Sequence, residues 1–235
     1  DECERVACTF IRQLAHDLDF PTTCTCSSLA IFHFYREARA KSERYCLDEG
    51  GKSLLTAGAD REKASVEWIK IEAGACVLIA TKANEVQRKV RDVVNVVHQR
   101  ARPDAKPLDV GSTFWDLRDA IVAAEQDVLR LLGFSIKPEL PFVFLLNYLK
   151  ALSATPQVAS AAHALLVESF DLPLCLRHSP HTIAASCISL ASLFFDFPLP
   201  SSPDAKWNQV RVPGPGLVTG TAEIRRLLTS VTLVG

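Results

Sequence analysis

Two stretches of this chain realign with each other, and that repeat restricts the fold more than any other feature. Ala73-Gly-Ala-Cys76-Val-Leu-Ile-Ala80 matches Ala184-Ala-Ser-Cys187-Ile-Ser-Leu-Ala191, and the same 111 residues separate Ala73 from Ala184, Cys76 from Cys187 and Ala80 from Ala191. Both are runs of small and apolar residues, the composition of a helix that neighbouring helices approach closely on every side. Each is the third helical segment of its half of the chain. A repeat of this kind predicts two copies of one helical domain in tandem.

Helical spacing recurs nearly throughout. Val6, Phe10, Leu14 and Leu18 form one stripe over Cys3 to Leu18, and Pro21 opens a second helix reaching Ala38. Lys41 to Ala64 is polar, carries Gly50, Gly51 and Gly58, and reads as a long loop. Trp68 to Thr81 is the central helix. Val86 to Arg100 follows with Val90, Val93, Val94 and Val97 inward. Thr113 and Asp116 suggest a capping box for a fifth helix that puts Phe114, Leu117, Ile121, Ala124, Val128 and Leu131 on the core and ends at Gly133.

Pro138 and Pro141 then punctuate the chain. Residues 1–136, with the 41–64 insertion, form the expected first domain, and residues 137–235 the second. Helical stretches in the second are Phe142 to Leu152, Val158 to Phe170, Thr182 to Phe195, a short one near Trp207, and Ala222 to Leu233. The expected class is all-α, two tandem five-helix domains.

Composition narrows the function. Of 235 residues, 48% are apolar and 23% charged, enough to build a sizeable core, and the net charge of −1 argues against a dedicated nucleic-acid binder. The longest uncharged run, Ser179 to Phe195, is too short and polar for a convincing membrane span. No leader-like pattern opens the chain, which points away from secretion. The cysteines sit in or beside apolar helical patterns and include no CxxC. Cys24 and Cys26 fall about 200° apart around a helix, which suits neither a disulfide nor a shared metal. A reducing compartment is expected.

Chemistry-bearing motifs are few. There is no GxGxxG, P-loop, GxSxG or HExxH. His178-Ser-Pro-His181 has metal-pair spacing, but its proline at a helix start favours structural histidines. Asp17 and Asp19 near His16 have no nucleophile beside them. No catalytic residue, metal site or cofactor is expected.

Comparing the two copies singles out charges that only one carries. Lys82 closes the first central helix where its counterpart is Leu193, and Glu125 shares an otherwise apolar facet with Val122, Leu129 and Leu132. A carboxylate there is expensive unless it is paired or near the surface. Lys82 is its candidate partner, and a solvated rim is the alternative.

These residues resemble the cyclin family. Lys82-Ala-Asn-Glu85 is similar to the K-x-E-E that ends the third cyclin helix, with Asn84 in the first acidic place. Glu125, Leu129 and Phe134 match an E-x-x-x-L-x-x-x-x-F pattern, and Arg91-Asp-Val-Val-Asn-Val96 is similar to a segment of transcription-type cyclins. Phe114 to Val122, and Cys175-Leu-Arg177 with His181 to Ala185, are nearest cyclin Q, with cyclins L and K next. Lys137-Pro-Glu-Leu-Pro141 departs from the turn usual in transcription cyclins, and the 41–64 loop is longer than most.

The resemblance implies two cyclin boxes and a non-catalytic subunit that activates a cyclin-dependent kinase in transcription or RNA processing. The partner would be cyclin-dependent kinase ten if the chain is of the Q type, in the nucleus or in nucleus and cytoplasm. It assigns kinase contact to Lys82, Glu125, Ile79, Ala83, Glu85, Leu129 and Phe134. Leu129 and Phe134 by themselves fit a core as well as a surface. No M-R-x-x-L substrate patch is visible on the first helix. The other reading is a TFIIB-like tandem factor binding nucleic acid or polymerase through Arg88, Lys89, Arg91, His98, Arg100, Arg102 and Lys106, a run interrupted by Asp92 and Asp104.

Overall fold

The computed structural model describes the backbone of residues 2–48, 61–104, 106 and 108–199. The chain divides into two compact units, Asp1–Pro138 and Glu139–Gly235. Among the described residues there are eight α-helices, one 3-10 turn and no strand.

The first unit holds α1 (Glu2–Asp17), α2 (Thr22–Asp48), α3 (Arg61–Ala83), α4 (Val90–Ala101) and α5 (Ser112–Leu131). α3 packs against each of the other four. That placement explains its composition, since Ala73 to Ala80 are all buried and only small or apolar side chains fit a helix enclosed on every side. Ile11, Leu14, Leu29, Phe32 and Ile121 from the surrounding helices are buried with it. Each such side chain is worth about 1.5–3 kcal/mol relative to exposure.

Gly74 sets how closely α4 approaches α3. A Cβ built there would stand 2.9 Å from Val97 Cγ2 and 3.8 Å from Ile121 Cδ1. Val97 is fully buried and β-branched, so it cannot rotate away cheaply. Gly74→Ala is expected to cost about 1–3 kcal/mol through overpacking, read as a lowered urea midpoint with an unchanged slope.

The second unit repeats the plan. α6 (Phe142–Ala151), α7 (Pro156–Ser169), the 3-10 turn Pro173–Leu176 and α8 (Pro180–Phe194) surround a core of Leu145, Val158, Leu166, Leu174, Cys187 and Ile188. α8 takes the place α3 holds in the first unit: third α-helix, packed against the others, with Cys187 as fully buried as Cys76. Thr155 and Ser179 cap α7 and α8 by accepting from the Val158 and Thr182 amides, each followed by a proline at the first helical position. The helices expected near Trp207 and over Ala222 to Leu233 lie outside the described residues.

Several sequence expectations need correction. α2 does not stop at Ala38 but continues to Asp48, and α3 starts at Arg61, so both ends of the expected 41–64 loop are helical. Residues 49–60 lie outside the described residues. The extension is rich in good helix formers (Ala38, Arg39, Ala40, Lys41), with a Glu37–Lys41 pair one turn apart, so propensity carries it without an apolar stripe. α4 starts at Val90 rather than Val86 because Arg88 is used elsewhere: its guanidinium donates to the Leu18, Asp19 and Gln87 carbonyls, covering the open end of α1. The capping box at Thr113 is absent; Gly111 is the N-cap and no side chain caps α5. Val6 and Leu131, placed on the core by spacing, are each more than a third exposed.

A second tie joins α4 to α1. Arg100 grips Asp17 with Nε 2.5 Å from Oδ2 and Nη2 2.6 Å from Oδ1. This bidentate bond, more than His16, holds the Asp17 carboxyl below its ordinary value of 3.8. A depressed carboxylate pKa contributes stability that is present above the ordinary value and is lost as pH falls through the lowered one. The melting-temperature gap between wild type and Asp17→Asn is therefore expected at neutral pH and should close as the pH drops below 3.8.

Candidate functional site

Helix ends build the site. α1, α3, α5 and α6 close with the same two backbone bonds, the first residue past the cap bonding back three positions and the next bonding back five. The residue after the cap sits in the left-handed region, which glycine tolerates best. At α5 that residue is Gly133, φ +56°, but the following Phe134 also takes a positive φ, +62°. At α3 it is Glu85, φ +58°.

Two consecutive left-handed residues swing the chain away from α5 and turn the Phe134 side chain outward, where it is 70% exposed. A bulky residue in this conformation carries local strain. Leu129 beside it is half-buried and Leu131 37% exposed.

Lys82, in the last turn of α3, reaches across to α5 and places Nζ 2.5 Å from Glu125 Oε1. Its side chain is 55% exposed, whereas that of Glu125 is 10% exposed. Glu125 is thus a paired carboxylate on an apolar facet, and the rim alternative does not hold. The pair sits where α3 and α5 meet, with Phe134 nine residues after Glu125 and just past the end of α5.

The remaining assigned residues divide. Ala83 is buried but lies in the same last turn as Lys82, and Glu85 is exposed immediately after it. Ile79 is 1% exposed, so it supports the surface from beneath and cannot touch a partner; the enclosure of α3 on all sides is the reason. Glu85 also has a plain structural duty as the left-handed residue that ends α3. Glu85→Gly is expected to raise stability by about 0.5–1 kcal/mol, since glycine meets no Cβ penalty there, seen as a melting temperature a few degrees higher.

One cluster escaped the sequence. Glu72, 1% exposed, is ringed by α2: Tyr35 donates to Oε1 at 2.8 Å, Arg39 bonds the same oxygen, and Arg36 stands 3.8 Å from Oε2. Burial, with Glu72 adding to it, pushes the Tyr35 hydroxyl and the Cys76 thiol well above their ordinary ranges. The copy comparison held the signal, because the repeat counterpart of Glu72 is the buried Ile183.

The nucleic-acid reading loses its strongest residues. Arg88, Arg100 and Arg102 are engaged within the unit, Arg102 with Glu67 at 2.9 Å. His181 packs on Phe144 with ring centres 3.7 Å apart and planes tilted by 41°, and meets the Tyr148 hydroxyl at 2.7 Å. Among the described residues no group of three or more His, Cys, Asp or Glu could hold a metal, and no helix is long and apolar enough to cross a membrane. Among the described residues seven cysteines form no disulfide, and burial pushes Cys24 and Cys175 up to about 11.

No protein-family model matches the chain. Cyclin-L2 of Mus musculus is 31% identical over 147 residues, covering 60% of this chain and 28% of that protein. Cyclin-L1 of Homo sapiens is 31% identical over 140 residues, covering 57% and 27%. The chain thus spans little more than a quarter of the curated relatives it matches. A chain of the yeast RNA polymerase II CTD kinase CTDK-1 complex superposes with a TM-score of 0.70 at 13% identity, covering 94% of this chain and 63% of that one. A viral cyclin from herpesvirus saimiri gives 0.60 at 14%, covering 97% and 85%. The expected all-α tandem fold is the fold of these neighbours, while the relatives named are of the L type rather than the Q type. With its two units and repeated central helix, the chain is thus similar in sequence to L-type cyclins over 57–60% of its length and shares the all-α fold of these solved neighbours.

Proposed function

We propose that the chain is the regulatory subunit of a cyclin-dependent kinase acting in transcription, and that it docks the kinase through the junction of α3 and α5. The observation that carries this is the Lys82–Glu125 pair at the α3–α5 junction, together with the outward-turned Phe134 just past the end of α5. A buried carboxylate, an exposed ammonium bound to it and a strained exposed aromatic are costly features for a fold alone. They suit a partner surface with an aromatic anchor and two charged groups able to bond a helix backbone.

A kinase needs its Lys–Glu ion pair and its Mg²⁺-binding Asp in place together, and its C-helix controls both. A partner that binds the helix-in state better shifts the population; moving it from 1:99 to 99:1 takes about 5.5 kcal/mol of preference. This chain supplies that preference and no catalytic group. The L-type relatives and the yeast CTD kinase neighbour point to a kinase of RNA polymerase II or RNA processing and to the nucleus. A Q-type identity, carried by residues 114–122 and 175–185, would make the kinase cyclin-dependent kinase ten.

The test is a pull-down with the chain as bait, wild type beside Lys82→Ala/Glu125→Ala. A cyclin-dependent kinase recovered by the wild type and lost by the double variant is the expected result. Equal recovery would keep the kinase and refute the surface. Promoter DNA or polymerase subunits without a kinase would favour the TFIIB-like reading.

A further inference from the structure

We propose that Asn84 is a positioning residue for the Lys82–Glu125 surface, fixing the last turn of α3 from the α2 side; the proposal rests on the docking surface argued above. Asn84 follows the last residue of α3. Its Nδ2 donates to the Ala80 carbonyl at 2.9 Å, and its own backbone amide donates to the same oxygen at 3.0 Å. Its Oδ1 faces the Ser27 hydroxyl on α2 at 3.5 Å, and Ser27 is buried. One side chain thus closes α3 and ties that end to α2. The Lys82 and Thr81 carbonyls are taken by the Glu85 and Val86 amides, so the Ala80, Thr81 and Lys82 carbonyls of this turn are all bonded.

The chemistry requires an amide. A carboxylate of the same shape would set an oxygen against the Ala80 carbonyl oxygen at the negative end of a helix, with no proton between them. The residue is exposed at the end of α3 but, as an amide bonded to the Ala80 carbonyl, presents no charge to a partner. Its effect on partner binding goes through Lys82, two residues earlier on the same turn.

Asn84→Asp and Asn84→Ala test this with two readouts, the affinity for the kinase that the wild type recovers and the side-chain ammonium resonance of Lys82 held by Glu125. Both variants are expected to fold by circular dichroism, to lose the bonded Lys82 signal and to bind the kinase at least tenfold more weakly. An unchanged Lys82 signal with unchanged affinity, even with a lower melting temperature, would reduce Asn84 to a simple cap and overturn the proposal. If the Lys82 signal is lost but wild type itself binds no kinase, the positioning stands and the docking surface fails. Should both variants fail to fold, Ser27→Ala carries the test: it cuts the tie to α2 and keeps the Ala80 bond. Broadening of the Lys82 signal supports the proposal and an unaltered signal refutes it.

Discussion

Glu72→Ala is expected to destabilise the first unit by about 3–5 kcal/mol, the cost of removing one partner from a buried ion-pair cluster. The carboxylate is the shared acceptor of Tyr35 and Arg39 and the counter-ion of Arg36, whose Nε is already buried without a hydrogen-bond partner. Without it, two guanidiniums and a phenol of α2 are left crowded against α3 with no carboxylate to answer them. That loss is a large part of the stability of an ordinary domain. Glu72→Gln, which keeps an acceptor and the shape, should cost less than Glu72→Ala. Urea unfolding followed by tryptophan fluorescence measures both, since Trp68 and Trp115 both lie in this unit. Equal stability of Glu72→Ala and wild type would mean that the cluster contributes nothing to the fold.

The second large effect separates binding from stability. Phe134→Gly removes an aromatic that is mostly exposed and relieves a positive φ, so the fold should be unharmed or slightly more stable. If Phe134 anchors the kinase, the same change should weaken binding by about 2–3 kcal/mol, thirty- to more than a hundredfold, as for a buried aromatic hot spot. Thermal melting and titration calorimetry on one preparation read both. A core role for Phe134 predicts the reverse pattern, with lower stability and intact affinity.

These residues also show what sequence could reveal. The central helices were legible because α3 and α8 must be small and apolar to be enclosed, and that requirement leaves the same trace twice. Lys82 was legible because it breaks a pattern its copy keeps, and Glu125 because it interrupts an otherwise apolar facet of its own helix. Glu72 was not, since it sits inside an apolar run and its partners Tyr35, Arg36 and Arg39 lie over thirty residues away on a helix read as ending at Ala38. Spacing rules could not say that Phe134 points outward either, because two left-handed residues, rather than helical geometry, decide its direction. Ile79, named with the candidate surface from its place on the central helix, is buried by the enclosure of α3. The end of α2 was missed because its polar residues hold a helix by propensity and a charge pair, with no stripe to follow.

The most direct test of the docking surface places a photo-crosslinking side chain at position 134 and, as a control, at Arg91 on the outer face of α4. With the wild-type partner kinase present, irradiation should join position 134 to the kinase C-helix and leave the control position unlinked. A kinase that stays bound yet crosslinks only from position 91 would contradict the account.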